Sequence, residues 1–423
     1  MNDYSRREFI KHATALSVAA SGVLAFPLKS YAQSGRNVVI IGGGFGGATC
    51  AKYLRLYDPS SQVTLIEKQA RYVTCPFSNT VLAGINQMDF ITHNYSALSG
   101  HGVKVMQDTV TAVDPESKKV TTKGGQSLNY DRLVVSPGIS FRWDAIEGYD
   151  AADAEKIPHA WQAGAQTELL KKQLESMKDG GVVVIAVPKT PFRAPPAPYE
   201  RASMIAYYLN GTKPKSKVMI LDANDDFEEH ELMTQAWKKL YPGMIEWVKS
   251  GPVMKVDAGA MTVHTKDGQS HKGDVINVIP PQQAGEIARL AGLTDDTGWC
   301  PIDQKTFESK SVKGIHIIGD SCNAGEMAKA GSGANTQAKV CAAAIASEFL
   351  GTSMPDPDFV TVFYGLIGKK YAISNAWFYR YQGGEIKKVS GGLSKLKASK
   401  KDRRQEMKYA KGWYQSITSE AFG

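Results

Sequence analysis

The sequence predicts an α/β protein: two Rossmann-like domains of the dinucleotide-binding type, followed by a C-terminal α+β interface domain. Three stretches predict it. Val38-Val39-Ile40-Ile41 is a run of branched apolar residues that enters Gly42-Gly43-Gly44-Phe45-Gly46-Gly47 and then a helical pattern over Ala48–Leu54. Gly181–Val187 and Lys217–Asp222 read as strands of a second sheet of the same kind. Far downstream, Gly314-Ile315-His316-Ile317-Ile318-Gly319-Asp320 is again a strand that ends in glycine and an acid. Short continuous apolar runs bounded by turn residues are the mark of strands buried on both faces of a parallel sheet.

The first stretch carries the strongest chemistry. Gly42, Gly44 and Gly47 fit G-x-G-x-x-G. In that pattern the first glycine makes the tight turn, the second admits a pyrophosphate close to the backbone, and the third lets helix and strand pack closely. The helix N-terminus then offers free N–H groups and the positive end of its dipole to the phosphates. Val63-Thr64-Leu65-Ile66 is the next strand, and Glu67 follows at the spacing of a carboxylate that binds ribose hydroxyls. A plain βαβ turn does not account for three glycines in register with an acid. A bound dinucleotide is expected.

Ahead of this, Ser5-Arg6-Arg7-Glu8-Phe9-Ile10-Lys11 reads as a twin-arginine export signal. The moderately apolar stretch Ala13–Phe26 follows, and Ser30-Tyr31-Ala32 offers small residues for cleavage. Residues 1–32 are expected to be removed on the way to the periplasm; the alternative is a basic and apolar N-terminal helix of a cytosolic protein. No other stretch reaches the roughly 18 consecutive apolar residues of a spanning helix, so no transmembrane segment is expected in the mature chain. About 390 residues then remain, more than one hydrophobic core serves. The expected organisation is a dinucleotide domain over 33–150, a second Rossmann-like domain over 151–290, the return of the first domain over 291–350, and the C-terminal domain over 351–423.

Hydrophobic residues make up 43% of the chain and charged residues 22%, which excludes a disordered or a fibrous protein. The net charge of +8 is modest. Part of it lies in a tail with Lys387, Lys388, Lys395, Lys397, Lys400, Lys401, Arg403, Arg404, Lys408 and Lys411, either a solvated surface or a docking face for an acidic partner or headgroups. No nucleic-acid module is visible. Cys50, Cys75, Cys300, Cys322 and Cys341 form no C-x-x-C pair, so no metal site is expected.

Several features point to a flavin. Tyr130–Gly138 is an apolar strand ending in Pro137-Gly138, and Asp320 at the end of the downstream strand can bind a ribityl hydroxyl. Ala334-Asn335-Thr336-Gln337-Ala338 is expected to start a helix whose N-terminus faces the pyrimidine ring, with Asn335 in the site. One fold layer thus draws on both ends of the chain, the habit of flavoproteins with two dinucleotide domains. After the second-domain strand, however, the chain runs through Pro188, Pro191, Pro195, Pro196 and Pro198 where a second glycine loop would stand. Proline removes N–H donors and fixes φ, so this loop is not a phosphate cradle. No use of NAD(P)H is expected, and electrons must leave for a haem or a quinone. The chain has no C-x-x-C-H, so any haem sits on another polypeptide.

The glycine fingerprint, Tyr72–Asn79, the proline-rich Pro191–Ala202, Ala291-Gly292-Leu293, Gly298-Trp299-Cys300-Pro301, Gly319-Asp320 and Gly412-Trp413-Tyr414 resemble the flavoprotein subunit of flavocytochrome c sulfide dehydrogenase. Wider relatives are sulfide:quinone oxidoreductases and disulfide reductases of the glutathione-reductase-like fold. The resemblance implies an oxidoreductase with FAD bonded covalently through Cys75, the cysteine of the segment Tyr72–Asn79; the plain alternative is a small thiol packed beside the ring. It implies a small-molecule donor, reduced sulfur by kinship, and a c-type cytochrome subunit as partner. Glu200, in Pro198-Tyr199-Glu200-Arg201, corresponds to a glutamate near the flavin that can give or take a proton; its alternative is an ion pair with Arg201 or Arg193. The same resemblance places a redox disulfide where this chain has Ala194 and, by the best placement, Phe363. Loss of both sulfurs implies a changed reaction. A quinone-linked enzyme and a non-catalytic flavin-holding subunit are the alternatives. Cys50 and Cys341 are expected in the core, His159 as a packing residue, and Trp377, Phe378 and Tyr379 as an interface cluster or a wall toward a haem partner.

Overall fold

The structure, a computed structural model, describes residues 36–423. The expected export segment lies outside the described residues. In chain order the elements that place the site are β1 (Asn37–Ile41), α1 (Phe45–Tyr57), β2 (Gln62–Glu67), α2 (Ser78–Leu82), β3 (Val103–Gln107) and β4 (Arg132–Val135). Then come β5 (Val182–Val187), α3 (Ala197–Thr212), β6 (Lys217–Asp222), α4 (His230–Leu240), β7 (Ile245–Lys249) and β8 (Val275–Val278). The chain continues with β9 (Ile315–Ile317), α5 (Gly331–Leu350), β10 (Asp358–Gly368), β11 (Tyr371–Gln382), β12 (Glu385–Leu393) and α6 (Lys400–Phe422).

Five parallel strands form the first sheet in the order β9-β4-β1-β2-β3. Its central strand, β1, is apolar from Val38 to Ile41 because neighbours cover both faces. The chain leaves this sheet after β4, builds the second parallel sheet in the order β7-β6-β5-β8, and returns with β9. Both sheets feed one continuous hydrophobic core. The C-terminal region is an antiparallel meander, β10-β11-β12, closed by α6.

α5 begins at Gly331, ahead of the start expected at Ala334. Small residues allow this: a Cβ on Gly331 would lie 2.9 Å from the Phe45 ring, and one on Gly333 would lie 3.0 Å from the Ala328 carbonyl. The helix therefore runs close alongside α1. Cys50 and Cys341 are buried at that contact, and burial raises the Cys341 thiol, with Cys50 reinforcing the shift. Cys300 and Cys322 stand opposite each other across two short parallel strands, and burial pushes both thiols up to about 12. All five cysteines are free.

α6 is started by a capping box, in which Ser399 Oγ accepts from Asp402 N at 3.1 Å. It runs back across the first domain. The Tyr414 hydroxyl lies 2.7 Å from Thr74 Oγ1 and 3.0 Å from His93 Nε2. Phe422 packs on Phe45 and Tyr72 and stacks on His93 at 5.3 Å. The basic tail is not one open surface. Arg403 is buried and donates to Glu406 Oε2 at 2.9 Å, while Lys388 lies 3.6 Å from Glu228 and 4.0 Å from the Trp377 ring centre. Among the described residues no helix is long and apolar enough to cross a membrane, and no group of three or more His, Cys, Asp or Glu is placed to hold a metal.

The turn between β1 and α1 is sterically closed. Gly42 has φ +96°, and a Cβ there would meet the Ser136 carbonyl oxygen at 2.2 Å; a Cβ on Gly47 would meet the Gly42 carbonyl oxygen at 1.8 Å. Both obstacles are backbone, which cannot rotate away. Gly47→Ala is expected to cost at least the roughly 1–3 kcal/mol of an overpacked core. A lower thermal midpoint together with lost cofactor content would show it, and an unchanged midpoint would refute the packing argument.

Candidate cofactor and redox site

The glycine turn ends at Gly44, which caps α1 without any side-chain bond. The first N–H groups of this 13-residue helix therefore have no side-chain cap. Glu67, at the end of β2, accepts from Gly43 N at 2.7 Å and from Gln69 N at 2.9 Å, so its carboxylate is fixed against the turn. Two aromatic side chains missed by sequence reasoning lie over this turn. The Tyr72 hydroxyl sits 3.3 Å from the position of a Cβ on Gly44, and the Tyr95 hydroxyl 2.7 Å from that on Gly43. Tyr95 Oη is buried without a hydrogen-bond partner. Burial is the main cause that raises both phenols.

On the far side of β1, Gly138 has φ +70° and its carbonyl accepts from Gly285 N at 2.9 Å and from Ser321 Oγ. Asp320 lies in the 3₁₀ turn after β9. Burial raises its carboxyl, against the opposing charges of Arg193 and Lys329. Arg193 Nη1 is 4.0 Å from Asp320 Oδ2, whereas Asp320 Oδ1 is buried with no partner. Asn335 is buried in α5, and its amide donates to Thr49 Oγ1 of α1 at 3.0 Å. Its side chain thus ties two helices, and the uncapped turn from Gly331 is the end that α5 presents.

Cys75 is half-buried just before α2, with Sγ 3.6 Å from the Trp161 carbonyl. Arg193 Nη2 donates to that same carbonyl. Thus Cys75, Arg193 and Asp320 are linked through one backbone oxygen and one ion pair. Arg193 belongs to the proline-rich segment Pro191–Ala202, but one of its two partners is a backbone atom that no side-chain pattern signals.

Glu200 is buried in the first turn of α3. Burial pushes its carboxyl up to about 8, although Asn79, Arg201 and the Leu366 N–H all favour the charged form. At neutral pH it holds a proton and can pass one on. Arg201 is buried beside it, and burial lowers its pKa to about 10. Its guanidinium donates to Asn79 Oδ1 at 3.2 Å, His159 O at 3.0 Å, Asn277 Oδ1 at 2.8 Å and Ala160 O at 2.6 Å. Glu200 therefore connects to the Cys75 segment through Asn79. His159 is a packing residue: its ring lies tilted against Phe141 at 4.4 Å, accepts from Trp161 N at 2.9 Å, and burial lowers it to about 3.

Two cavities flank the proline-rich loop. One of about 660 Å³ is lined by Arg142, Lys189, Trp299 and Lys329. The other, of about 250 Å³, is lined by both Ala194 and Phe363 and by Tyr199, Phe227, Glu229 and Trp377. Ala194 has φ +51°, and its N–H donates to Lys329 O at 2.7 Å. The residues present fit FAD. The glycine turn and α1 suit the pyrophosphate, Glu67 the ribose, and the unpartnered Asp320 Oδ1 a ribityl hydroxyl.

Comparison with known proteins agrees. Residues 167–280 match the family model for the central region of the sulfide dehydrogenase [flavocytochrome c] flavoprotein chain, and 355–422 match that for flavocytochrome c sulphide dehydrogenase, flavin-binding. Residues 36–185 match the pyridine nucleotide-disulphide oxidoreductase model. The sulfide dehydrogenase [flavocytochrome c] flavoprotein chain of Chlorobaculum thiosulfatiphilum is 63% identical over 46 residues, 11% of this chain and 96% of that sequence. Mitochondrial sulfide:quinone oxidoreductase of Mus musculus is 22% identical over 309 residues, 69% of this chain and 67% of the relative. The crystal structure of sulfide:quinone oxidoreductase from Aquifex aeolicus superposes with a TM-score of 0.72 at 19% identity, over 91% of this chain and 92% of that one. The fold is thus the α/β flavoprotein-reductase fold with a C-terminal antiparallel sheet, the class read from the sequence.

The wild-type chain holds the Glu200 proton up to about pH 8, whereas the unfolded chain releases it near 4.5. Folding stability from this group is full below pH 4.5 and is lost as pH rises toward 8. Glu200→Gln is expected to flatten this slope in urea midpoints measured across that window. A slope equal to wild type would show that Glu200 is already ionised.

Proposed function

We propose that this chain is the FAD-carrying subunit of a periplasmic oxidoreductase that takes electrons from a small reduced-sulfur donor and passes them to a c-type cytochrome on a second polypeptide. The observation that carries this reading is the meeting of Cys75, Arg193 and Asp320 at one end of the glycine-turn site, with Glu200 tied to the same segment through Asn79. The matches to the two flavocytochrome c sulfide dehydrogenase family models and to the Chlorobaculum chain support it.

FAD, when bound, supplies the two-electron acceptor that can release electrons one at a time. The α1 N-terminus would hold its pyrophosphate, Glu67 its ribose and Asp320 its ribityl chain, and the α5 N-terminus would serve the pyrimidine end. Cys75 would provide the sulfur for a thioether, the C–S bond replacing its S–H and a C–H of the flavin methyl group while the two electrons pass into the flavin; such a bond would keep the cofactor in place after export. Arg193 is an electropositive neighbour of that thiol. Glu200 exchanges a proton at its carboxyl oxygen as the redox state changes.

The cytochrome partner follows from the kinship together with the lack of a haem-attachment motif in this chain. The periplasmic address follows from Ser5-Arg6-Arg7. The proline-rich loop supports a protein that does not draw on NAD(P)H, because the turn into α3 places Pro196 and Pro198 where a phosphate cradle needs N–H donors. Ala194 and Phe363 line one chamber, which supports their placement in one site, with carbon at the two positions where a disulfide would stand. A donor there reacts without a sulfur relay.

Anaerobic addition of sulfide, sulfite, thiosulfate and organic thiols, followed at the flavin absorbance, tests the reading. At least one is expected to bleach the flavin, with sulfide slower than in a disulfide-bearing relative, and NADH is expected to have no effect. Fast stoichiometric bleaching by NADH would overturn it. Denatured wild type is expected to keep flavin fluorescence on a gel and Cys75→Ser to lose it; a fluorescent mutant band would remove the thioether.

A further inference from the structure

The chamber that holds Ala194 and Phe363 also holds an unusual acid. Glu229 is the N-cap of α4 and is 1% exposed. Its Oε1 accepts from Asn375 Nδ2 of β11, while its Oε2 is buried with no hydrogen-bond partner. Phe192, Phe227, Phe363 and Trp377 give the chamber aromatic walls, interrupted by Asn224, Asp226, Glu228 and Asn375. Phe227 stacks on Tyr199 at 3.5 Å.

The charges around it are unequal. No lysine, arginine or histidine lines the chamber. Its other carboxylates have partners outside it. Asp226 Oδ1 lies 2.8 Å from His230 Nδ1, and Glu228 lies 3.6 Å from Lys388. From α3, Tyr199 faces Glu229 with its hydroxyl committed to Asp222 at 2.6 Å. From β11, Asn375 and Trp377 Nε1 donate to Glu228 at 3.2 Å each. Glu229 is left without a full counter-charge. Burial, reinforced by Glu228, pushes its carboxyl up to about 8, although Asn375, its own backbone N–H and Lys388 favour the charged form. Below that pH it is a neutral acid with one O–H to donate.

We propose that this chamber binds uncharged small molecules that carry a hydrogen-bond acceptor, with the Glu229 carboxylic acid as the donor that orients them. Anions find no cation on the walls and meet two carboxylates close by, so they are excluded. The proposal rests on the proposed function only in taking the occupant to be the electron donor, which then enters in its un-ionised form.

The test uses non-reducing probes of matched size, so that its failure is separable from failure of the redox reading. Dimethyl sulfoxide is uncharged with an acceptor oxygen, and methanesulfonate is its anionic counterpart. Each is titrated into the flavin-loaded protein and followed by ligand-observed methyl NMR. Dimethyl sulfoxide is expected to bind about tenfold more weakly at pH 9 than at pH 7, since one pH unit above the pKa leaves about a tenth of the acid protonated. Methanesulfonate is expected to bind at least about tenfold more weakly than dimethyl sulfoxide at pH 7. Glu229→Gln keeps an acceptor for Asn375 and an N–H donor for the chamber; its affinity for dimethyl sulfoxide is expected to be independent of pH. Equal binding of the two probes, a flat wild-type profile, or a pH dependence that survives in Glu229→Gln would each overturn the proposal. If that variant does not fold, the wild-type selectivity and pH profile decide.

Discussion

Arg201 is buried at the point where three parts of the chain meet, and its guanidinium must be satisfied there by the protein itself. It reaches Asn79 in the Cys75 segment, the carbonyls of His159 and Ala160 in the connection between the domains, and Asn277 on β8 of the second sheet. The Trp161 ring lies beneath it at 5.0 Å. A planar fork of donors suits such a junction as a lysine does not. Much of the site depends on it. The carbonyl of Trp161, just beyond this clamp, holds both Cys75 and Arg193, and Asn79 is shared with Glu200. Loosening the clamp would shift the candidate attachment residue, the proton-exchanging acid and the domain seam together.

The loop after β5 divides the space beside that seam. Thr190, Phe192 and Pro195 belong to the walls of both cavities. On one side stand Arg142, Lys189 and Lys329 with no carboxylate among the lining residues. On the other stand Asp226, Glu228 and Glu229 with no cation. A thin apolar partition thus separates a positive cleft from an acidic chamber.

The parts of the fold that were legible in the sequence are those set by local pattern. Continuous apolar runs identified β1, β2, β5 and β6, because a strand buried on both faces needs no alternation. Three glycines in register identified the turn at Gly42, because nothing larger fits against the carbonyls of Ser136 and Gly42. Gly138, Asp320 and Cys75 are read as candidates from strand ends and kinship. What was not legible depends on partners distant in sequence or on backbone atoms. Arg403 read as a surface charge, whereas Glu406 and the carbonyls of Lys395 and Leu396 bury it. Asn335 read as a residue of the helix terminus, but the close passage of α1 gives its amide to Thr49. Tyr72, Tyr95 and Glu229 carry no local signature at all; only the folded surroundings make their hydroxyls and carboxyl unusual.

The brace that α6 lays across the first domain has a consequence for how the molecule comes into being. Thr74 and the Tyr414 that secures it are 340 positions apart, and Phe422 packs on Tyr72 from still further along the chain. A growing chain can form β1, α1 and β2 early, but the ring of Tyr72 and the segment bearing Cys75 lack this cover until residues 414–422 have emerged. Contacts of such long sequence separation form late. Translation therefore leaves an interval in which the nucleotide turn exists and its roof does not. During that interval a bulky ligand has access from a side that the finished protein closes, and a nascent chain stalled before residue 414 would retain that openness.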